Sequence, residues 1–324
     1  MRIRLMVEGQ EDVSWEHWVA LADACEAHGL EGLFRSDHYL STVSGSAKPC
    51  LDAWATLAAL AAQTTRIRLG TLVSPVTFRH PAELAKIALT VDHVSGGRVE
   101  LGLGAGWNER EHAAFGFPFP ATGERMSMVE EQLEVIRAVW TEERASFAGA
   151  HYRLDDVPAL PKPLQRPHPP LVLGGDAGPR ASALAARFAD EYNTFSATRE
   201  QCRERRARLV AACERIGRDP QTLRFSVMDT CLIGTSEADL LDRARRMLEL
   251  VGLDRDPETY LRDRAATGLV GTVETLVERL RALAAIGVER VYLQHLLHDD
   301  LETVALIGRE VAPAVAEFAS SPAG

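Results

Sequence analysis

Eight short apolar runs, each followed by a stretch with helical spacing, recur along the chain, and this alternation constrains the fold more than any other feature. The strand-like runs are IRLMV at residues 3–7, GLFRSDHY at 32–39, RIRLGTLVSP at 66–75, RVELGLGAG at 98–106, LVLGG at 171–175, DEYNTF at 190–195, LRFSVMDTCLIG at 223–234 and RVYLQHL at 290–296. Helical patterns are expected at about 15–28, stopped by Gly29, and at 51–63. Others run from His80-Pro81 to the Ser95-Gly96-Gly97 turn, then over 124–140, 179–188, 199–216, 272–286 and 301–318. Alternation of this kind predicts an α/β protein built as one (β/α)8 barrel over residues 1–324. Insertions are expected near 141–170, where PKPLQRPHPP cannot be helical, and near 235–271.

The chain's 324 residues, 46% of them hydrophobic, suffice for such a core. Its formal charge of −10 repels phosphate backbones and anionic lipid, so neither nucleic acid nor a membrane surface is an expected partner. The N-terminal segment MRIRLMVEGQ is interrupted by Glu8 too early for a signal peptide, and no apolar run approaches spanning length, so a cytoplasmic protein is expected. Five cysteines without a C-x-x-C pair indicate neither a disulfide framework nor a zinc cage. His295 and His298 are spaced like a metal pair but lack a third ligand, so no metal is expected.

In a (β/α)8 barrel, ligands sit at the C-terminal ends of the strands. The first strand ends at Glu8, and the second at Ser36-Asp37-His38-Tyr39, a run of polar and aromatic groups. The third ends at Leu72-Val73-Ser74. The fourth ends at Gly104-Ala105-Gly106-Trp107, where missing side chains let a ligand approach the backbone. That spacing is not G-x-G-x-x-G, and its position on the fourth strand argues against a methyltransferase, whose glycine-rich strand comes first. The fifth ends at Gly174-Gly175-Asp176, with Gly178 just before a helix, a plausible phosphate site that Arg180 could assist. The arginine-rich run CRERRARLVAACERIGR reads as a solvated helix face, with an acidic cofactor tail as the other possible role.

The run TLVSPVTFRHPAELAKIALTVDHVSGGRVELGLGAGWNEREHAAFG, with SDHY before it and LVLGGDAGPR after it, resembles the bacterial luciferase-like monooxygenase family, and within it the oxidoreductases dependent on deazaflavin coenzyme F420. The resemblance implies F420, or alternatively FMN, in the barrel mouth and a small-molecule substrate, with a homodimer expected. Asp37, Leu72, Val73, Gly104, Ala105, Gly106, Gly174, Gly175, Asp176 and Gly178 would line the cofactor, the glycines of the fourth strand letting its ring and ribityl chain lie close. It also implies a non-proline cis peptide at Leu72-Val73. His38 would handle the proton of a hydride transfer, with Glu8 as the second acid/base candidate. Some deazaflavin dehydrogenases carry a proton-donating glutamate where this chain has Trp107, so the resemblance does not imply sugar-phosphate chemistry. Trp107 and Tyr39 would instead wall the substrate pocket. The alternatives are an FMN-dependent monooxygenase using O2 and a non-catalytic flavin-binding protein.

Overall fold

The computed structural model describes residues 1–42, 47–265 and 268–318. Residues 266–267, within the second expected insertion, and 319–324, at the end of the expected 1–324 unit, lie outside the described residues. The parallel strands are β1 (Arg2–Val7), β2 (Gly32–Arg35), β3 (Arg68–Thr71) with its short continuation β4 (Ser74–Pro75), and β5 (Val99–Gly104). An antiparallel hairpin follows, β6 (Arg144–Ala148) with β7 (Arg153–Pro158), and then β8 (Leu171–Gly174), β9 (Glu191–Phe195), β10 (Arg224–Gly234), β11 (Leu269–Thr272) and β12 (Arg290–Gln294). Pairing runs β1-β2-β3-β5-β8-β9-β10-β12, and β12 pairs back onto β1 with Arg2 opposite Arg290, which closes an eight-stranded barrel. The eight anticipated strands are these eight.

Period-two alternation divides each strand between two environments. Outward residues such as Leu5, Leu33, Leu101 and Val291 are fully buried against the helices. Those helices are α1 (Trp15–Ala27), α2 (Ala53–Gln63), α3 (Pro81–Ser95), α4 (Glu109–Phe115), α5 (Thr122–Thr141), α6 (Pro179–Phe188), α7 (Arg199–Arg215), α8 (Glu237–Val251), α9 (Pro257–Ala265), α10 (Val273–Ala284), α11 (Leu301–Leu306) and α12 (Ala312–Val315). Inward residues form layers. At the N-terminal end Arg4 holds Glu100 through two bonds of 2.7 Å, while Arg290 pairs with Glu31 and Glu191, and Arg68 with Glu100. Three arginines thus face three glutamates, which offsets the cost of burying each charge. Above them Met6, Phe34, Leu72, Val172 and Tyr292 form an apolar plug, joined by Val73 and Met228. The barrel interior is therefore filled below, which leaves its C-terminal mouth as the open end.

Four elements differ from the expectation. Strand three is broken in two at Leu72-Val73, which is indeed a non-proline cis peptide. Helix α4 follows β5 directly, where only the mouth loop was anticipated. The insertion expected near 141–170 opens with the β6-β7 hairpin before its proline-rich part, and β10 continues past the barrel to pair with β11.

Candidate functional site

Helix α4 shapes the mouth. Asn108 caps it by accepting the Glu111 N–H, and the His112 ring is tied between Thr77 Oγ1 at 2.6 Å and the Asn108 carbonyl at 2.7 Å. Glu111, fully buried on α4, therefore points at the loop after β2 from a fixed position. One of its oxygens accepts the N–H groups of Tyr39 and Leu40, and the other lies 2.7 Å from His38 Nδ1. Burial would push the His38 imidazole down, but the hydrogen bond and charge of Glu111, with the charges of Glu8 and Asp37, outweigh it and hold His38 above its ordinary value. Burial likewise opposes ionisation of Glu111, and His38 and the two backbone N–H groups more than offset it, so its carboxyl lies below the usual range. The Trp107 ring meets the His38 ring edge to face at 5.6 Å, while 64% of Trp107 stays exposed at the entrance.

Asp37 is turned inward. Its carboxylate accepts from Ser74 Oγ at 2.6 Å and from Arg79 at 2.5 Å, so it orients its neighbours within the wall. The Tyr39 hydroxyl is taken up by Asp52 at 2.9 Å and Arg79 at 3.0 Å, and its ring packs beside Phe78 and Phe115. Glu8 sits deeper, one oxygen accepting from Gln294 Nε2 at 2.6 Å and the other from Gln10 Nε2 at 2.8 Å. Thr230 fixes Gln294 and Ser36 fixes Gln10, so Glu8 is an immobilised acceptor. His295 and His298 lie behind this layer. Burial drives His295 down to about 4, and His298 packs its ring on His17 at 4.5 Å.

The glycines of β5 are also required by the protein's own packing. A Cβ on Gly102 would run into the Thr71 carbonyl, and one on Gly104 would lie 2.6 Å from Val73 Cγ2. At these positions the chain around Leu72-Val73 fills the space that a side chain would take. Gly106, at φ +77°, turns the chain toward Trp107, with Ala105 half-buried between. At the end of β8 the Gly175 N–H is taken by the Asn193 carbonyl and the Ala177 N–H by the Tyr192 hydroxyl. Helix α6 nevertheless has no side-chain cap, and a Cβ on Gly178 would meet nothing within 4 Å. The turn thus keeps an open helix N-terminus suited to an anion.

Arg180 does not serve that turn. It bonds the Gly123 carbonyl and Ser127 Oγ of α5, both at 2.9 Å, because its position on α6 faces away from the mouth. Arg205, 2.6 Å from Asp176, and Arg208, bonded to the Asp176 carbonyl, reach the turn instead. The arginine-rich helix is therefore not wholly a solvated face. Sequence reasoning missed Arg205, Arg79 and Glu111. For Glu111 a signal existed: an asparagine followed three residues later by a glutamate marks a helix start, so Asn108 announced α4.

Residues 1–290 match the family described as luciferase-like monooxygenase. An FMNH(2)-dependent dimethylsulfone monooxygenase of Pseudomonas putida is 30% identical over 295 residues, covering 80% of this chain and 77% of that protein. An F420-dependent glucose-6-phosphate dehydrogenase of Nakamurella multipartita is 35% identical over 178 residues, 54% of this chain. The match spans about half (51%) of that dehydrogenase, and 66% of a 35% identical mycobacterial relative. The monooxygenase RslO1 of Streptomyces bottropensis superposes with a TM-score of 0.82 at 23% identity, over 97% of this chain and 99% of that one, a likeness of fold. Among the described residues no helix is long and apolar enough to cross a membrane.

Proposed function

The chain belongs to the luciferase-like monooxygenase family, whose members include F420-dependent and FMN-dependent enzymes, and from that premise we propose that it binds coenzyme F420 in the barrel mouth and transfers a hydride between it and a small organic substrate. When bound, the coenzyme supplies the hydride chemistry. The observation that carries the reading is the His38–Glu111 pair, a charged-form-stabilised imidazole at a strand end beside an apolar floor. A group held above its ordinary value near neutrality can both give and take a proton. Glu8, pinned by two amides, serves as a fixed acceptor for a substrate group.

The residues present fit such a coenzyme. Leu72 and Val73 offer an apolar surface for a flat ring, and the open start of α6, with Arg205 and Arg208 beside it, suits a phosphodiester and an acidic tail. Trp107 adds an aromatic wall next to His38 and favours an apolar substrate. A second reading, an FMN-dependent monooxygenase, is favoured by the extent of the match to the Pseudomonas putida relative. Fluorescence titration of the purified protein with F420 and with FMN tests the choice. Saturable binding of F420 with FMN at least about tenfold weaker is expected; the reverse order overturns the F420 assignment in favour of FMN, and binding of neither removes both.

A further inference from the structure

Glu111 bonds both the His38 ring and the Tyr39 and Leu40 N–H groups of the loop that carries it. An ionised carboxylate only accepts hydrogen bonds, so a proton must sit on His38 Nδ1 at the 2.7 Å contact. In the neutral imidazole the lone pair then lies on Nε2, and in the cation Nε2 is the acidic N–H. The arrangement cannot easily rearrange. The second Glu111 oxygen is bound to the Tyr39 and Leu40 N–H groups, α4 is anchored through Asn108 and His112, and Trp107 lies against the ring.

We propose that Glu111 is a positioning residue that fixes His38 as the Nδ1–H tautomer, so that its exchangeable proton is given and taken at Nε2. The proposal rests on the reading of His38 as the proton-handling group. Among the described residues, the charged groups that act most on His38 besides Glu111 on α4 are Glu8 at the end of β1 and Asp37 on its own loop, the latter paired with Arg79. Cys50 contributes a thiol bonded to the His38 carbonyl. Glu8 and Asp37 are each held by other donors, whereas Glu111 bonds the ring directly, so it is the member whose removal should be felt most.

The test is 15N NMR of histidine-labelled protein, with the His38 signal assigned by its loss in His38→Gln. In the wild type, Nε2 should show the shift of an unprotonated ring nitrogen above the transition and Nδ1 that of an N–H. Glu111→Gln, which keeps the shape and removes the charge, should lower the His38 midpoint by about one pH unit, a tenfold loss of proton affinity, and mix the tautomers. An unmoved midpoint and tautomer in a folded Glu111→Gln protein would overturn the proposal. If that variant does not fold, Glu111→Asp replaces it, keeping the charge but withdrawing it, with a smaller fall in the midpoint expected and no fall again overturning the idea. The titration needs neither substrate nor coenzyme, so a normal turnover of His38→Ala would sink the functional reading of His38 while leaving this coupling standing.

Discussion

At His38 burial and a buried carboxylate act in opposite directions, and the carboxylate wins. The sign of the stability effect follows from linkage. A histidine raised above its unfolded value of about 6.5 contributes stability that is full below that value and is lost as the pH rises through its folded value. Glu111, depressed in the fold, contributes above its unfolded value of about 4.3 and loses that contribution as the pH falls. The pair is therefore strongest between those two values, and the difference in melting temperature between wild type and His38→Gln should be greatest at about pH 5–6 and shrink as the pH rises through the folded value of His38, which a thermal-shift series across pH will read. For function, His38→Ala should leave coenzyme affinity within a few fold and lower turnover by about 10²–10⁴, because binding and proton handling belong to different strands. A variant that loses the coenzyme instead would make His38 a binding residue.

Among elements, β5 and the start of α6 both carry glycines, but for different reasons. Gly104 is closed in by Val73, and Gly178 faces open space. Gly104→Val forces extra atoms into a filled wall and should cost about 1–3 kcal/mol of folding stability in urea denaturation. Gly178→Val has no neighbour to strike and an extended backbone that tolerates it, so stability should change little while coenzyme affinity falls about tenfold. Equal affinity would place the phosphate elsewhere. Gly175 is a poorer probe, because its φ of +139° strains any side chain and would confuse binding with folding.

For the whole molecule, the charge layer beneath the apolar plug couples five strands or their ends, through Arg4, Arg68, Glu100, Glu191 and Arg290, with Glu31 at the entry to β2. Removing one partner from such a layer leaves a buried charge short of its counterion, so Arg4→Met should cost about 3–5 kcal/mol of folding stability, measured by urea denaturation. Burial opposes ionisation of Glu31 and Glu100, but Arg4 above all, aided by Arg290 and Arg68, holds both carboxyls below the usual range. Their stabilisation is present above about pH 4.3 and lost as the pH falls through their folded values, so the melting temperature should decline steadily on acidification below that point. A flat profile down to pH 3 would show that the layer is not coupled to folding.

The eight barrel strands were legible because each is a short apolar run bounded by turn residues, and their order alone dictates which ends share the mouth. The β6-β7 hairpin was not, since RASFA and RLDDVP lie at the surface and carry little apolar alternation. Asp37, His38, Trp107 and the 174–178 turn could be named from their places at strand ends. Their partners could not: His38 and Glu111 are 73 positions apart, and only the docking of α4 over the loop after β2 brings them to 2.7 Å. Arg205 rather than Arg180 serves the turn because helix rotation, set by packing against the neighbouring helix, decides which arginine faces it. Local chemistry therefore determined the strands, their ends and the residue types at the mouth. Tertiary packing decided which protons, charges and backbone groups meet there, because those contacts depend on distances between segments that no local pattern encodes.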